Sequence, residues 1–478
     1  MTIMIANTAG SPSLPAELAE DVALARKYAC QGPRYTSYPT APQFSTEFPL
    51  ADYLAGQRAG AAHNREPLSL YVHVPFCNDI CYYCACNKIV TRRKNVARTY
   101  LDHLQREIVA QAELVGRERP ITQMHWGGGT PTYLDHAQIT ELMHLLASNF
   151  RLLDKNYREY SIEIDPRTVD NATLALLKGV GFNRISLGVQ DFDEQVQKAV
   201  NRIQPYEQVA GLVDSVRNLG FRSLSFDLIY GLPFQDRDSI ARTVQQVIAL
   251  SPDRIACYNY AHLPERFSSQ RAIDRLALPA PEEKLLLHEI ISHTLKDAGY
   301  QHIGMDHYVL PGDELALAQA EGRLQRNFQG YSLRMADDLV GLGVSAISQM
   351  GDYYLQNARD LETYYQRVEA DELAIERGCR IDEEDRLRRH VIMSLICDLH
   401  LDLDECNRQF GIDFAGKFAA ELAALAPMAA DGLLQLEADS IRVTARGRPF
   451  LRNICMPFDA YLPRGDGGDR PAGFSATV

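Results

Sequence analysis

The chain has 478 residues, of which 46% are hydrophobic, and its formal net charge is −13. A chain of this length and composition can bury a large core and is expected to form more than one domain. The acidic balance argues against a nucleic-acid partner, which usually demands a basic surface, but it leaves room for a local basic pocket that binds a small anion.

The N-terminal sequence and the hydropathy predict the cellular location of the protein. MTIMIANTAGSPSLPAELAE lacks a basic segment followed by an apolar run, so no signal peptide is expected. No apolar stretch approaches the roughly 20 residues that span a bilayer, and we therefore expect a soluble, cytoplasmic protein without membrane insertion. A monomer is expected. In that compartment clustered cysteines more often bind metal or take part in catalysis than form disulfides.

From residue 68 onward, strand-like and helix-like stretches alternate. The predicted strands are 68–76, 122–129, 160–165, 184–190, 223–231 and 254–260. The predicted helices are 95–114, 136–149, 170–179, 205–218, 237–249 and 282–298. This alternation predicts a parallel sheet with crossover helices. Six units are fewer than the eight of a closed TIM barrel, and an open doubly wound sheet is the structural alternative.

Several of these strands are apolar on one face only, whereas fully buried parallel strands are normally apolar on both. The residues that alternate with the apolar ones are Ser161, Glu163, Asp165, Ser186, Gly188, Gln190, Ser223, Ser225 and Asp227. Such a face borders water or a ligand. We therefore predict an α/β fold, a partial (β/α)6 barrel with a ligand-filled interior. In the alternative interpretation these residues satisfy one another inside an ordinary core.

The stretch FCNDICYYCAC (76–86) follows the first strand and contains Cys77, Cys81, Cys84 and Cys86. A structural zinc site usually pairs two short knuckles across a longer spacer, and so short a loop wraps a single ion awkwardly. The first three thiolates suit three corners of an iron–sulfur cubane and leave the fourth iron open, as in a catalytic site. A structural zinc protein stays the alternative.

The spacing C-x3-C-x-aromatic-C of Cys77, Cys81 and Cys84 resembles the signature of the radical S-adenosylmethionine (SAM) enzymes. The resemblance implies that these thiolates bind a [4Fe-4S] cluster, and that SAM chelates the open iron and yields a 5′-deoxyadenosyl radical. HWGGGTPT (125–132) supports the resemblance, because glycines allow the backbone to approach the cofactor closely.

Further stretches resemble the oxygen-independent coproporphyrinogen III oxidase (dehydrogenase) family of haem biosynthesis. They are PRYTSYPTAP (33–42), VNRIQ (200–204), DLIYGLP (227–233), NYAHLP (259–264), IGMDHY (303–308), NFQGY (327–331) and GVSAIS (343–348). The resemblance implies oxidative decarboxylation of two propionates of coproporphyrinogen III to vinyl groups, which gives protoporphyrinogen IX. The alternative is a haem-binding chaperone of the same radical SAM family, which lacks the RYTSYPT extension and has an aromatic residue in place of Cys86.

The resemblance also implies two SAM molecules. The positions matching the first are Tyr71, Gly128, Glu163 and Ile347. The positions matching the second are Tyr83, Gly129, Thr130, Gln190, Arg202, Asp227 and Ala261. Cys86 and Tyr71 are the candidate catalytic residues, and Cys86 is expected to lie near the substrate or the second SAM without ligating the cluster.

A substrate with four carboxylates calls for arginines, since guanidinium pairs with carboxylate through two hydrogen bonds. The candidates are Arg34 and Arg167. The partners expected besides coproporphyrinogen III are an electron donor such as flavodoxin and an electron acceptor that the sequence does not identify.

The predicted domain order has five parts. Residues 1–55 form an N-terminal arm over the barrel opening, 56–310 the barrel with the cluster, and 311–364 a connecting segment that completes the cofactor site. Residues 365–462 form a small, mostly helical and winged-helix-like domain with a hairpin in LLQLEADSIRVT, and 463–478 form a flexible tail.

Overall fold

The computed structural model describes residues 16–463 together with Phe474, Ser475 and Thr477. All six predicted strands and all six predicted helices are present, with ends within two residues of the expected ones. Every helix of this described part is too short or too polar to span a bilayer.

The strands are, in chain order, β1 (Leu68–Val74), β2 (Phe76–Cys77), β3 (Ile89–Val90), β4 (Pro120–Gly128), β5 (Arg151–Leu152), β6 (Glu159–Ile164), β7 (Arg184–Gln190), β8 (Ser223–Tyr230), β9 (Arg254–Asn259), β10 (Gln301–Gly304), β11 (His307–Val309), β12 (Leu324–Asn327), β13 (Gly330–Leu333), β14 (Asp338–Leu342), β15 (Ile347–Met350), β16 (Tyr353–Asn357), β17 (Ile375–Arg380), β18 (His400–Asp402), β19 (Leu434–Leu436) and β20 (Ser440–Val443).

The α-helices are, in chain order, α1 (Ala16–Tyr28), α2 (Leu50–Gly60), α3 (Asn95–Val115), α4 (His136–Asn149), α5 (Asn171–Gly179), α6 (Glu194–Ala199), α7 (Tyr206–Asn218), α8 (Arg237–Leu250), α9 (Pro281–Asp297), α10 (Glu314–Ala320), α11 (Leu361–Glu369), α12 (Glu383–Cys397), α13 (Leu403–Phe410), α14 (Phe414–Lys417), α15 (Ala419–Ala430) and α16 (Leu451–Cys455).

The crossover helices begin where the sequence supplies a side-chain cap. Asp135, Asp170 and Asp236 accept hydrogen bonds from backbone N–H groups in the first turns of α4, α5 and α8. An aspartate at this position satisfies N–H groups that have no partner within the helix. Each cap therefore fixes the point at which the chain leaves the sheet and turns back across it.

The main sheet has the order β10-β11-β9-β8-β7-β6-β4-β1-β14-β15-β16-β17. The six predicted strands are parallel neighbours, and β14 adds a seventh parallel strand next to β1, which the sequence prediction missed. No pairing joins the two ends of this order in the described chain, so the barrel is open. The partial-barrel fold class is confirmed.

The two faces of the sheet differ as predicted. Apolar residues such as Ile162, Leu187 and Phe226 are fully buried against the helices in the larger hydrophobic core. The alternate residues line a single cavity that is bordered by β4, β6, β7, β8, β9, β11 and β13. Because residues from all these strands face one space, the sheet wraps around it, and the polar face is the inside of the barrel.

The C-terminal region packs in a second hydrophobic core, to which the arm contributes Tyr35 and Tyr38 and the barrel edge contributes residues such as Ile303 and Leu315. It consists of α12 to α16 and a small antiparallel sheet in the order β18-β20-β19. The hairpin expected in LLQLEADSIRVT is present as β19 and β20. The winged-helix likeness of this region stays a prediction.

Two of the predicted domain boundaries fall inside helices. The boundary at 55/56 cuts α2, whose Tyr53 is buried in the barrel core. The boundary at 364/365 cuts α11, where Tyr364 and Val368 both belong to the barrel core, and β17 still pairs with β16. The barrel core thus extends past residue 365 to Ile375, and the predicted domain division itself stays a prediction.

The described contacts of the arm are with the C-terminal region and with the barrel. Tyr35 donates a hydrogen bond to Asp459 (3.1 Å), and Ser45 pairs with Gly378. The predicted tail, 463–478, lies largely outside the described residues. Its Thr477 nevertheless donates a backbone hydrogen bond to Cys30 (2.8 Å), so this residue is held against the arm.

Candidate active site

The cysteine loop follows β1 at the carboxyl end of the barrel, and the chain around it holds it in place. Asn201 donates a side-chain hydrogen bond to the carbonyl of Ile80 (2.7 Å), and Ser269 donates one to the carbonyl of Cys84 (3.0 Å). These anchors come from the segment after α6 and from the segment after β9. The loop is therefore fixed from two sides of the barrel rather than by its own residues alone.

All four thiols of the loop are free. Four thiolates around one zinc ion, each about 2.3 Å from it, lie roughly 4 Å from one another. In the described chain no three of the loop's thiols lie within 4.8 Å of one another. The loop as folded is thus too wide for a single ion held by three or more of its thiolates, whereas a cubane, which places each thiolate on a different iron, tolerates a wider separation.

Cys86 is more exposed to solvent than the other three cysteines of the loop, and its thiol contacts one of theirs. It is exposed, whereas Cys81 is buried and Cys77 and Cys84 are half-buried. The Cys86 thiol hydrogen-bonds to Cys84 and thereby lowers the pKa of Cys84 to about 6. The loop therefore presents Cys86 beside the three candidate ligands and on the open side.

Two arginines surround the sulfur of Cys81. The guanidinium groups of Arg167 and Arg202 each have a nitrogen 3.5 Å from the Cys81 Sγ. Both also pair with Asp165 at 2.7 Å. Burial would raise the pKa of Asp165, but Arg202 and Arg167 outweigh it and hold that pKa below its usual value. The two guanidiniums therefore place positive charge against a sulfur that is predicted to bind the cluster.

These contacts bear on two of the predicted assignments. Arg167 was predicted to bind substrate, and its guanidinium is engaged by Asp165 and Cys81. Arg202 was predicted to bind the second SAM, and it also donates a hydrogen bond to the carbonyl of Gly188 (2.7 Å). Both arginines thus support the cysteine loop, and their roles toward substrate and SAM stay predictions.

The glycine run lies at the end of β4, directly beside the end of β1. Gly128 has a φ of +117°, which favours glycine, and a Cβ there would come within 2.7 Å of the His73 ring. A Cβ on Gly129 would come within 2.6 Å of the Pro75 carbonyl. The neighbouring Thr130 places its hydroxyl 3.5 Å from the Cys77 Sγ. The glycines therefore allow this backbone edge to reach the cysteine loop.

Glu163 is held on the inner face by two donors. His125 Nε2 lies 3.0 Å from its carboxylate, and the backbone N–H of Gly128 donates to it (3.3 Å). Burial would raise the pKa of Glu163, but these interactions outweigh it and keep that pKa below its usual value. His125 also hydrogen-bonds to Ser161 (2.6 Å) and stacks on Tyr71, with 6.0 Å between ring centroids.

His125 was missed by the sequence analysis. It lies on β4 with the same alternation that places Glu163 on the inner face of β6, so extending the pattern to β4 would have found it. Ile347 lies close to Tyr71. Tyr71 on β1 pairs with Gly341 on β14, and a Cβ added to Gly341 would lie only 2.6 Å from the backbone carbonyl of Ile347.

Gln190 and Asp227 occupy neighbouring strands at the carboxyl end. Gln190 has a φ of +67° in a bulge of the β7–β8 pairing, which re-aims its side chain. Ser186 donates a hydrogen bond to Asp227 (3.1 Å). Burial and then the charge of Glu163 raise the pKa of Asp227 to about 7. Asp227 is therefore an acid that can hold its proton near neutral pH.

The remaining predicted residues lie at two other parts of the barrel rim. Tyr83 packs against a small cluster that contains Tyr260, the neighbour of Ala261. Arg34 lies further from the cysteines, with its guanidinium 5.6 Å from the ring centroid of Tyr258 and 3.4 Å from the Asp306 carboxylate.

The donor set fits a [4Fe-4S] cluster with one open iron. Three thiols lie on a loop anchored from outside, two guanidiniums face one of them, and the glycine edge approaches another. Thiolates are the ligands that iron–sulfur clusters use. The residues that would hold the cluster are Cys77, Cys81 and Cys84.

Comparison with known proteins identifies the relatives of the chain. Residues 71–247 match the radical SAM superfamily, and residues 381–450 match the HemN C-terminal domain. The chain is 52% identical over 445 residues to the oxygen-independent coproporphyrinogen III oxidase of Pseudomonas aeruginosa, covering 93% of this chain and 96% of the relative. It is 50% identical to that of Escherichia coli K12, covering 92% and 95%.

A solved structure agrees with these matches over both regions of the molecule. The coproporphyrinogen III oxidase HemN from Escherichia coli, described as a radical SAM enzyme, superimposes with a TM-score of 0.86 at 49% identity, covering 90% of this chain and 98% of that one. The chain therefore belongs to the oxygen-independent coproporphyrinogen III oxidases of the radical SAM superfamily.

Proposed function

We propose that the protein converts two propionate side chains of coproporphyrinogen III to vinyl groups, giving protoporphyrinogen IX in anaerobic haem biosynthesis. Its relatives carry the name of an oxidase of this substrate at about half identity over nearly their whole length. The observation that carries the proposal is the placement of three thiols at the carboxyl end of β1, next to the polar interior of the barrel.

The reaction needs a strong hydrogen-abstracting reagent. Each propionate loses a hydrogen atom from its β-carbon, one electron and carbon dioxide, and the remaining two carbons become the vinyl group. The β-carbon is unactivated, so an ordinary base cannot remove its proton. A [4Fe-4S] cluster with bound SAM supplies a 5′-deoxyadenosyl radical, which is the reagent such a carbon requires.

The chain's own residues position and isolate this chemistry. Cys77, Cys81 and Cys84 would hold the cluster, and Arg167 and Arg202 donate hydrogen bonds to the sulfur of Cys81. A carboxylate on the inner face, Glu163, is fixed as an acceptor for polar groups of SAM. The apolar face of each strand is sealed by the helices, which keeps bulk water out of the barrel wall.

We propose two SAM molecules in this interior. The positions inferred for the first are Tyr71, Gly128 and Glu163 on the paired strands β1, β4 and β6, and Ile347 on β15, which pairs with β14 beside β1. The positions inferred for the second include Gln190 and Asp227 on the adjacent strands β7 and β8, and Arg202 in the segment after α6. An electron donor such as flavodoxin and a separate acceptor complete the proposed cycle.

The test uses the full-length protein reconstituted anaerobically with iron and sulfide. With SAM, a reductant and coproporphyrinogen III, we expect protoporphyrinogen IX together with two molecules of carbon dioxide per product molecule. Cys81→Ser serves as the control and should form neither. Normal cluster content with porphyrin binding but no carbon dioxide would favour the haem chaperone, and zinc without iron after reconstitution would favour the structural zinc protein.

A further inference from the structure

Three arginines from different parts of the chain gather around Asp306, in the turn between β10 and β11. Arg34 belongs to the arm, Arg326 to β12 and Arg452 to α16. All three act on Asp306 and hold its pKa below the usual value against the opposing effect of burial. These residues, named here the arginine group, lie where the arm, the barrel and the C-terminal region meet.

Arg34 and Arg326 carry more positive charge than the described carboxylates near them balance. Arg34 pairs with Asp306 at 3.4 Å, whereas no described carboxylate lies within 4 Å of the Arg326 guanidinium. Burial and then the charge of Arg34 lower the pKa of Arg452 to about 10. Buried charges are costly unless they are paired. The surplus therefore favours binding of a further anion.

Arg326 is the member best placed to receive one. Its residue is 8% exposed, and its Nη1 is buried without a hydrogen-bond partner among the described atoms. Its Nε donates to the carbonyl of Arg34 (3.4 Å), which fixes the direction of the guanidinium. A buried N–H group without a partner is destabilising. A planar guanidinium fits a carboxylate through two parallel hydrogen bonds.

An aromatic layer connects the arginine group with the barrel interior. Tyr258, His307 and Tyr331 line the same cavity as Glu163 and Asp227. The Arg326 guanidinium lies 4.8 Å from the ring centroid of Tyr331, and that of Arg34 lies 5.6 Å from the ring centroid of Tyr258. The arginine group is thus separated from the reaction space by single aromatic rings, which suits a ligand with an apolar body and charged ends.

We propose that the arginine group binds a propionate carboxylate of the porphyrinogen, with Arg326 as its principal donor, and so orients the macrocycle in the barrel. This inference rests on the proposed function, because it takes coproporphyrinogen III as the ligand. The macrocycle packs against the aromatic layer, and the carboxylate offsets part of the surplus positive charge.

The test compares Arg326→Gln with the wild type in the full-length, reconstituted enzyme. We expect the KM for coproporphyrinogen III to rise about tenfold or more, as for the loss of one charge-assisted hydrogen bond. We expect kcat to change less than KM, and cleavage of SAM without porphyrinogen to stay at the wild-type rate. Arg326→Lys keeps the charge and should give an intermediate KM, which preserves the test if the Gln variant does not fold.

Arg323→Gln is the matched control. Arg323 lies just before β12 and is exposed, and it pairs with the equally exposed Glu321, so its loss should leave KM unchanged. An unchanged KM in both Arg326 variants would overturn the inference and leave the proposed function standing. An equal loss of SAM cleavage with and without porphyrinogen would also overturn it, because that pattern reports a structural role. Absence of turnover in the wild type would instead contradict the proposed function itself.

Discussion

The two ends of the barrel interior use the same strands and differ in how they treat charge. At the amino end, Arg184 pairs with Glu159 (3.3 Å) and with Glu314, while Arg254 pairs with Asp313 (2.9 Å). At the carboxyl end lie four thiols, the acid Asp227 with a raised pKa and the bulged Gln190.

The difference shows what each end is for. At the amino end α10 supplies Glu314, so acids and bases neutralise one another and close the barrel. At the carboxyl end Arg167 and Arg202 pair with Asp165, but the thiols form no disulfide and the acid Asp227 has no basic partner in an ion pair among the described residues, which leaves them available to a cofactor or substrate. The amino end should therefore affect stability, and the carboxyl end should affect chemistry.

The largest expected effect is at the cysteine loop. Replacing Cys77, Cys81 or Cys84 with serine should abolish iron binding and SAM cleavage, since the harder oxygen ligand is poorly suited to iron–sulfur chemistry. Iron analysis and release of 5′-deoxyadenosine measure both. The control is Cys379→Ser, a half-buried thiol outside the loop, which should retain both. A variant with a full cubane would refute the assignment of that cysteine.

The second prediction addresses the amino end. Arg184→Met removes the partner of the buried Glu159, and the free energy of unfolding should fall by about 3–5 kcal/mol. Turnover per folded molecule should stay close to the wild-type value. Arg217→Met breaks the more exposed pair with Asp253 and should cost less than about 1 kcal/mol in urea denaturation. Loss of turnover at unchanged stability would break the contrast between the two ends.

The third prediction separates Cys86 from the cluster ligands. Cys86→Ser should keep iron content and the cluster spectrum near normal, while protoporphyrinogen formation falls about 100-fold, the scale of a lost proton- or hydrogen-transfer group. Loss of the cubane spectrum would make Cys86 a ligand, and full activity would remove it from the reaction.

The smallest effect is expected from the protonation of Asp227. Its pKa in the folded chain, about 7, lies above that in the unfolded chain, so the folded chain binds the extra proton between about pH 4 and 7. Stability of the cluster-free chain should therefore decline as the pH rises through this range. Asp227→Asn cannot ionise, so its unfolding free energy should lack this decline between about pH 4 and 7. Parallel curves of unfolding free energy against pH would contradict the raised pKa.

Local patterns in the sequence were sufficient for six parallel strands of the barrel and their crossover helices. Strand alternation predicted the inward side of Glu163 and Asp227, and helix periodicity placed α3 to within one residue. The resemblance to known enzymes supplied the positions that no periodicity indicates, such as Ile347.

Contacts between residues distant in the sequence were not predictable in the same way. β14 is short and reaches the parallel part of the sheet by pairing with β1, more than 260 residues earlier in the chain. Arg326 is a candidate substrate-binding residue because it lies close to Arg34 and Asp306, which are also distant in the sequence. The engagement of Arg167 by Asp165 and Cys81 depends on how the loop folds back over β6. Such pairings arise from tertiary packing, which a local pattern does not encode.

The central claim is that the carboxyl end of the barrel directs hydrogen abstraction at a propionate β-carbon. The most direct measurement uses coproporphyrinogen III deuterated at the β-carbons of its propionates, with the reconstituted enzyme, SAM and a reductant. We predict deuterium in the released 5′-deoxyadenosine and one carbon dioxide for each vinyl group formed. Formation of vinyl groups with unlabelled 5′-deoxyadenosine, or release of 5′-deoxyadenosine without carbon dioxide in the presence of this substrate, would contradict the account.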